Sequence, residues 1–328
     1  MTGSSPDSCL HLPVSSWSCS GSAVIVSLGE SLIDLIHGSD TAEPEARLGG
    51  SPYNVSIALA RLGTPAGFVC PLSTDVYGQR LSKGLEENGV RRCVGQFVDA
   101  PTAIAEVFTN QDGHPHYVFH RDHTADRALS EHPPIQSLPS DIHALHFGSL
   151  VLAQEADWPA WRDAIVEAKG RGAYVAFDPN VRVSLIDDFD RYRERVEEAV
   201  ELADLIKTSD EDLELLSPGC APEQQIQDWH TPNRTLILTE GSKGAQAWTG
   251  PGYHATCRDI GTAEIVDTVG AGDTFQAALL AWMWHRNAFQ LPLDSDHAHA
   301  LLQFATKAAV LNCTRKGCQP PTLREIED

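Results

Sequence analysis

Val266-Asp267-Thr268-Val269-Gly270-Ala271-Gly272-Asp273-Thr274-Phe275 runs without a break into the apolar stretch Gln276-Ala277-Ala278-Leu279-Leu280-Ala281-Trp282-Met283. Two glycines flanking an alanine allow a tight backbone turn, and the helix that the apolar stretch predicts starts with N–H groups that have no intrahelical partner. Such a terminus, bared at Gly270, Ala271 and Gly272, suits an anion that gains charge as it reacts, for example a transferring phosphoryl group. Asp273 is the odd residue there. A first-turn carboxylate complements the helix dipole, yet beside a phosphate it repels unless it also takes a proton from an attacking hydroxyl. Base and anion hole together predict phosphoryl transfer, although the string read alone is also an ordinary capped turn. It is neither a Walker P-loop, since no Gly-Lys-Ser/Thr follows, nor a dinucleotide fingerprint, which needs a third glycine.

The run Asp267 to Phe275 closely resembles the C-terminal signature of the ribokinase-like (PfkB) sugar kinases. That resemblance implies Asp273 as catalytic base and the amides of Gly270, Ala271 and Gly272 as stabilisers of the transferring phosphoryl. A second block, Arg47-Leu48-Gly49-Gly50-Ser51-Pro52-Tyr53-Asn54 onward to Gly63, predicts a helix with Ser51 as N-cap, Pro52 at its first position and Gly63 closing it. Gly49-Gly50 reads as a hinge or as a plain helix-entry turn. The block is similar to the N-terminal Gly-Gly signature of the same family, which implies that Gly49 and Gly50 flex as a lid closes and that Asn54 meets sugar hydroxyls.

The chain as a whole sets the limits. Its 328 residues can hold one large α/β core with a small appendage, or two ordinary domains. Hydrophobic residues make up 42%, with no apolar run approaching the roughly 18 residues of a membrane span. Lys and Arg number 24 against 45 Asp and Glu, a formal charge of -21, which opposes nucleic acid and anionic membrane as partners. The same field opposes ATP, so a nucleotide has to arrive with a divalent cation and meet locally placed donors. Eight cysteines lie scattered without a Cys-x-x-Cys pair, which predicts reduced thiols in a cytoplasmic protein. Residues 1–21, rich in Ser with Pro6, Pro13 and Gly21, predict a disordered tail before a folded domain over 22–328.

Within that domain, Ala23 to Leu28 predicts a first buried strand, and Leu32-Ile33-Asp34-Leu35-Ile36 a second with a carboxylate among apolar residues. Asp34 needs a partner, either an arginine or sugar hydroxyls. Alternating runs around Ala103 to Phe108 and Tyr117 to Phe119 predict further strands. The resemblance implies a small lid sheet within residues 31–48 and 95–122, covering the sugar and able to pair with a second subunit as a homodimer. His114, His116, His120 and His123 lack a completing ligand pattern and read as loop histidines rather than a metal site. The stretch from Phe119 to Asp126 resembles the Arg-x-x-x-Ala-Asp run of bacterial fructokinases, which implies Arg121 at the sugar; a pair with Asp122 or Asp126 is the plain alternative.

From Ile142 onward strand and helix runs alternate, predicting right-handed crossovers, a parallel sheet and a Rossmann-like core. Polar clusters follow the predicted strands at Asp178-Pro179-Asn180-Val181-Arg182, Lys207-Thr208-Ser209-Asp210-Glu211-Asp212 and Thr239-Glu240-Gly241-Ser242-Lys243-Gly244. Together they resemble the family's nucleotide side, which implies ATP contacts from Asn180, Lys207, Ser209, Thr239, Gly241, Gly244 and, in the tail helix, Asn312. Asp212 stands where many members carry a glutamate for magnesium, one methylene shorter, and is implied as a ligand through water. Asp267 and the Val269 carbonyl are implied as a monovalent-cation site for K+. The expectation is an ATP- and Mg2+-dependent sugar kinase, with fructose leading, 2-keto-3-deoxygluconate next because Arg121 or Arg182 could hold its carboxylate, and nucleosides third. A silent sugar-binding protein on the same fold is the rival from another class.

Overall fold

The computed structural model describes residues 23–37, 43–109, 115–250, 252–258, 261, 263–289 and 293–328; the expected tail and His114 lie outside them. In chain order the strands are β1 (Val24–Leu28), β2 (Leu32–His37), β3 (Glu45–Gly49), β4 (Ala66–Val69), β5 (Leu72–Ser73), β6 (Arg91–Arg92), β7 (Phe97–Val98), β8 (Ala103–Thr109), β9 (Pro115–His120), β10 (Ile142–Gly148), β11 (Tyr174–Asp178), β12 (Leu205–Ser209), β13 (Thr235–Thr239), β14 (Ala245–Thr249) and β15 (Tyr253–Cys257). The α-helices are α1 (Ser51–Arg61), α2 (Val76–Glu87), α3 (Trp158–Gly170), α4 (Phe189–Leu202), α5 (Asp210–Leu216), α6 (Pro222–Trp229), α7 (Ala271–Arg286), α8 (Ser295–Cys313) and α9 (Leu323–Glu327).

The main sheet has the order β15-β14-β13-β12-β11-β10-β1-β4-β6. From β13 to β6 every neighbouring pair is parallel, as alternating strands and helices require. The β14–β15 hairpin extends one edge antiparallel and departs from the all-parallel expectation. Alternate residues of the strands face opposite layers. Ile25, Ala144, Ala176 and Ile237 pack with α1, α2, α7 and α8, whereas Val26, Phe147, Phe177 and Leu238 pack with α3, α4, α5 and α6. The result is a three-layer α/β/α sandwich. Helix α7 is apolar on every side and buried continuously from Asp273 to Met283, which fixes where its N-terminus points.

A second sheet, β3-β2-β8-β9, stands apart from the first. Its register aligns Asp34 with Arg47 on β3, Ala105 on β8 and, through β8, Phe119 on β9, so one face carries Asp34 and Arg47. The other face begins with Ile33, Leu35, Ala46 and Leu48 against the main core. Beyond them, Glu106 joins His37 and His120 through contacts of 3.0 Å to each Nε2.

One expectation is corrected here. Ser51 does not cap α1: Gly50 is the N-cap residue, at φ 102°, and Ser51 is the first helical residue. A side chain on Gly50 would also meet the Glu30 carbonyl at 2.8 Å, so the turn belongs to the glycine. The Ser51 hydroxyl is thereby released for another partner.

Candidate active site

Strand β1 connects outward to β4 on one side, while β10 flanks it on the other, so the carboxyl ends of β1 and β10 mark the point where strand order reverses. The first turns of α1 and α7 meet at this crevice. Gly270 caps α7 at φ 74°, and a Cβ there would stand 2.3 Å from Cys318 Sγ, so only glycine fits. The Ala271 N–H donates to the Thr268 carbonyl at 3.1 Å, which tightens the turn. Gly272 occupies the second helical position, and the carbonyl four residues before it, that of Thr268, is already taken by Ala271.

Asp273 follows at the third position and is only 8% exposed. Ser51 Oγ donates to its Oδ1 at 2.6 Å and Asn54 Nδ2 donates to its Oδ2 at 2.8 Å. Burial raises its pKa, and the Ser51 and Asn54 hydrogen bonds, then Lys207 and Arg182, pull against that rise. A buried carboxylate held by two donors is competent to accept a proton from a hydroxyl placed against it.

Lys207 projects from β12 to within 3.3 Å of the point where a Cβ on Gly272 would stand. Its Nζ donates to Asp178 Oδ2 at 2.9 Å, with both side chains almost fully buried. Burial pushes Asp178 up to about 6, and the Lys207 ammonium works against that shift. Burial favours the neutral amine of Lys207, but Asp178, Asp212 and Asp273 together outweigh it and raise its pKa. A fixed cation therefore lies beside the helix start that was expected to receive the phosphoryl.

Asp34 reaches the same centre from β2. Gly49 has no side chain where one would meet Asp34 Oδ2 at 2.3 Å, so the carboxylate occupies that space. Burial and then Asp273 push Asp34 up to about 6, against Arg182 and Arg47. Arg182 is exposed and donates only to its neighbour's carbonyl, Val181 O at 3.2 Å, among the described residues. Arg121 lies deeper. Its Nε donates to Asp126 Oδ2 at 2.6 Å in a buried ion pair, while Nη2 has no partner among the described residues.

On the nucleotide side, Asn180 lies two residues beyond the end of β11 at φ 39°, a strained conformation for a side-chain-bearing residue. Ser209 caps α5 in a reciprocal box with Asp212, whose Oδ2 accepts from the Ser209 hydroxyl at 2.7 Å and whose Oδ1 accepts from Val181 N at 2.8 Å. Thr239 Oγ1 donates to the Thr208 carbonyl at 3.2 Å, and Gly241 and Gly244 bracket the short turn after β13. Asn312 is a brace: Nδ2 donates to the Val269 carbonyl at 2.8 Å and Oδ1 accepts from Gln319 N at 2.8 Å. Asp267 accepts from Val269 N and Gly317 N, at 3.0 and 2.8 Å. Ile265 and Val266, 51% and 59% exposed, lie on the strip leading into this turn.

Among the described residues no three His, Cys, Asp or Glu side chains stand close enough to hold a metal alone. Magnesium is commonly held by one or two carboxylates plus water and substrate phosphates. Asp178 Oδ1, buried without a partner among the described residues, and Asp212 nearby supply that kind of partial site. Ser51 was missed as a contact of the base because a serine beside Gly-Gly-x-Pro reads first as a cap. Lys207 was placed on the nucleotide side by resemblance, and its pairing with Asp178 joins two clusters that sequence separates by 29 positions.

Residues 22–325 match the family described as pfkB family carbohydrate kinase. Fructokinase-2 of Solanum habrochaites is 33% identical over 317 residues, covering 93% of this chain and 95% of the relative. A fructokinase double mutant from Vibrio cholerae O395, in fructose, ADP and potassium ion bound form, is 26% identical at a TM-score of 0.76, covering 90% of this chain and 94% of that one. A putative ribokinase II from E. coli in complex with ATP and Mg2+ is 26% identical at a TM-score of 0.77, covering 93% and 97%.

Proposed function

The chain belongs to the pfkB family of carbohydrate kinases, and from that premise we propose how its residues divide the transfer of the γ-phosphoryl of ATP to a primary hydroxyl of fructose. The observation that carries the reading is the buried Asp273 carboxylate one residue beyond Gly272, with the Lys207 ammonium beside that glycine. Asp273 takes the proton of the attacking hydroxyl, so the oxygen that bonds to phosphorus is an alkoxide in the making. The N–H groups of Gly270 and Gly272 at this helix start, with Lys207, stabilise the charge gathering on the phosphoryl oxygens, while the expected Ala271 amide is instead spent on the Thr268 carbonyl. Asp212 and Asp178 would hold magnesium through water, and the ion would supply neutralisation of the phosphate charge. Asp34 accepts bonds from sugar hydroxyls, and Asn54 and Arg121 frame the same pocket. Asn180, Ser209, Thr239, Gly241 and Gly244 line the nucleotide; the exposed Ile265–Val266 strip suits an adenine face, and Asn312 holds that strip's turn in place.

The four-stranded sheet is the lid, hinged at Gly49-Gly50; its closure shuts water out while the phosphoryl is exposed. A second copy pairing through this sheet makes the homodimer. The Asp267 carboxylate and Val269 carbonyl mark the turn where K+ would bind and stiffen the anion hole. Free thiols at Cys70, Cys93, Cys220, Cys313 and Cys318 fit a cytoplasmic enzyme, and no helix among the described residues is long and apolar enough to cross a membrane.

One observation favours a second substrate. Arg182, exposed and facing Asp34 and Asp273, could take the carboxylate of 2-keto-3-deoxygluconate. Competing fructose, the sugar acid and ribose for Mg-ATP in one assay separates the readings: fructose selectivity supports ours, and turnover confined to the acid replaces it.

The Asp34 environment gives a pH signature. An ionised carboxylate accepts hydroxyl bonds that its protonated form accepts less well. With its pKa raised to about 6, fructose affinity is expected to fall as pH drops from 7 to 5 and to level off above 7. Calorimetric titration across that range checks it; equal affinity at pH 5 and 7 contradicts the assignment of Asp34.

A further inference from the structure

We propose that Ser51 is the positioning residue of the base, a hinge-borne hydroxyl that fixes Asp273 Oδ1 from the first position of α1. The proposal rests on the reading of Asp273 as base. The Ser51 Oγ to Asp273 Oδ1 distance of 2.6 Å lies in the range of a charge-assisted O–H to O⁻ bond.

Ser51 is held from both sides for this task. Its N–H donates to Glu30 Oε1 at 3.1 Å, and the carbonyl of the next residue, Pro52, accepts from Ser27 Oγ at 2.7 Å. Behind it, Gly50 cannot carry a Cβ without meeting Glu30 O at 2.8 Å and Ser31 Cα at 2.9 Å, so the turn that delivers Ser51 has little freedom in this conformation. A serine at a helix start ordinarily caps backbone N–H groups. Here the N-cap residue makes no side-chain bond, and the hydroxyl next to it reaches across 222 positions of sequence to the base. Because Ser51 directly follows the hinge glycines, any lid motion that turns Gly50 also moves the donor on Asp273.

The other groups facing Asp273 come from every side of the crevice. Asn54 of α1 donates to Oδ2; Lys207 of β12 and Arg182 after β11 are cations; Asp34 of β2 and Asp178 of β11 are anions; the Cys318 thiol lies on the C-terminal segment. Among the influences that lower the pKa of Asp273 against burial, the Ser51 hydrogen bond is the largest. Removing it leaves the two cations and Asn54 to oppose burial.

The test is a carbon-13 titration of the apo-protein labelled at aspartate Cγ, with the Asp273 signal identified by its loss in Asp273→Asn. Ser51→Ala is expected to raise the Asp273 midpoint by about one pH unit, the scale of one hydrogen bond to a charged group. The acid limb of kcat, read at saturating fructose so that the Asp34 effect on affinity does not enter, moves with it, and Ser51→Thr, which keeps the hydroxyl, brings both back toward wild type. An unshifted midpoint in Ser51→Ala, or a rate loss equal at every pH with the limb in place, overturns the proposal. The titration needs no substrate, so failure of the wild-type protein to phosphorylate fructose would count against the kinase reading alone.

Discussion

Asp273→Asn is expected to lower turnover on fructose by about a thousandfold or more while leaving the dissociation constant for fructose within a few fold. General-base catalysis by a positioned side chain contributes on the order of a hundredfold to ten-thousandfold, and the amide cannot take the proton. The substitution preserves shape, so the contacts that orient the sugar elsewhere in the pocket survive. The hydrogen bonds around it discriminate further. Ser51 and Asn54 both donate to the carboxylate; in the amide the oxygen still accepts from Asn54, while the NH2 donates to a Ser51 hydroxyl that turns to accept, so the contacts survive without the negative charge that needs both donors. Stability is expected to change little, since the variant no longer buries a charge and that gain offsets the weakening of two charge-assisted hydrogen bonds. Steady-state kinetics beside calorimetric binding checks the separation; a variant turning over at the wild-type rate removes Asp273 as the base.

Lys207→Met is expected to cost both stability and rate, and the two losses should come apart in a double variant. Losing the ammonium leaves the buried Asp178 carboxylate with neither oxygen partnered among the described residues, since Oδ1 has no partner there already. Breaking one side of a buried pair typically destabilises by about 3–5 kcal/mol. The cation beside Gly272 also vanishes, and one lost stabilising contact to developing charge typically costs on the order of a hundredfold in kcat. Adding Asp178→Asn removes the orphaned charge and is expected to recover most of the thermal stability, while turnover stays low because the cation and a magnesium-side carboxylate are both gone. Melting temperatures and kcat for the single and double variants decide it. Full recovery of turnover in the double variant would reduce Lys207 to a counter-ion for Asp178.

Much of this site could be read in the sequence because glycine and aspartate are local in their effects. Gly270 is needed for a positive φ and for closeness to Cys318, and Asp273 sits three residues beyond it, so one short string specified both turn and base. The parallel strands from β10 to β13 were legible for a similar reason, each being a short apolar run ended by polar residues. What stayed hidden depends on contacts between distant segments. The hydroxyl of Ser51 looked like a cap because capping is local, and its true partner is contributed by another helix. Arg121 could be matched to several carboxylates nearby in sequence, and only packing selected Asp126 and buried both. The β14–β15 hairpin escaped notice because Gln246 and His254 interrupt its apolar character; the fold pairs those two side chains with each other at 3.1 Å across the strands. Asp212, a candidate for magnesium from its position alone, turned out to be held locally as well, in the capping box with Ser209.

The kinase account stands or falls on where the γ-phosphoryl goes. Incubating the protein with γ-labelled Mg-ATP and fructose, and separating sugar phosphate from nucleotide over a single turnover, follows that atom directly. The account predicts label moving onto fructose in step with ADP formation, and no transfer on that timescale with Asp273→Asn. Fructose bound at saturation while the label stays on ATP, or leaves only as inorganic phosphate, would contradict it.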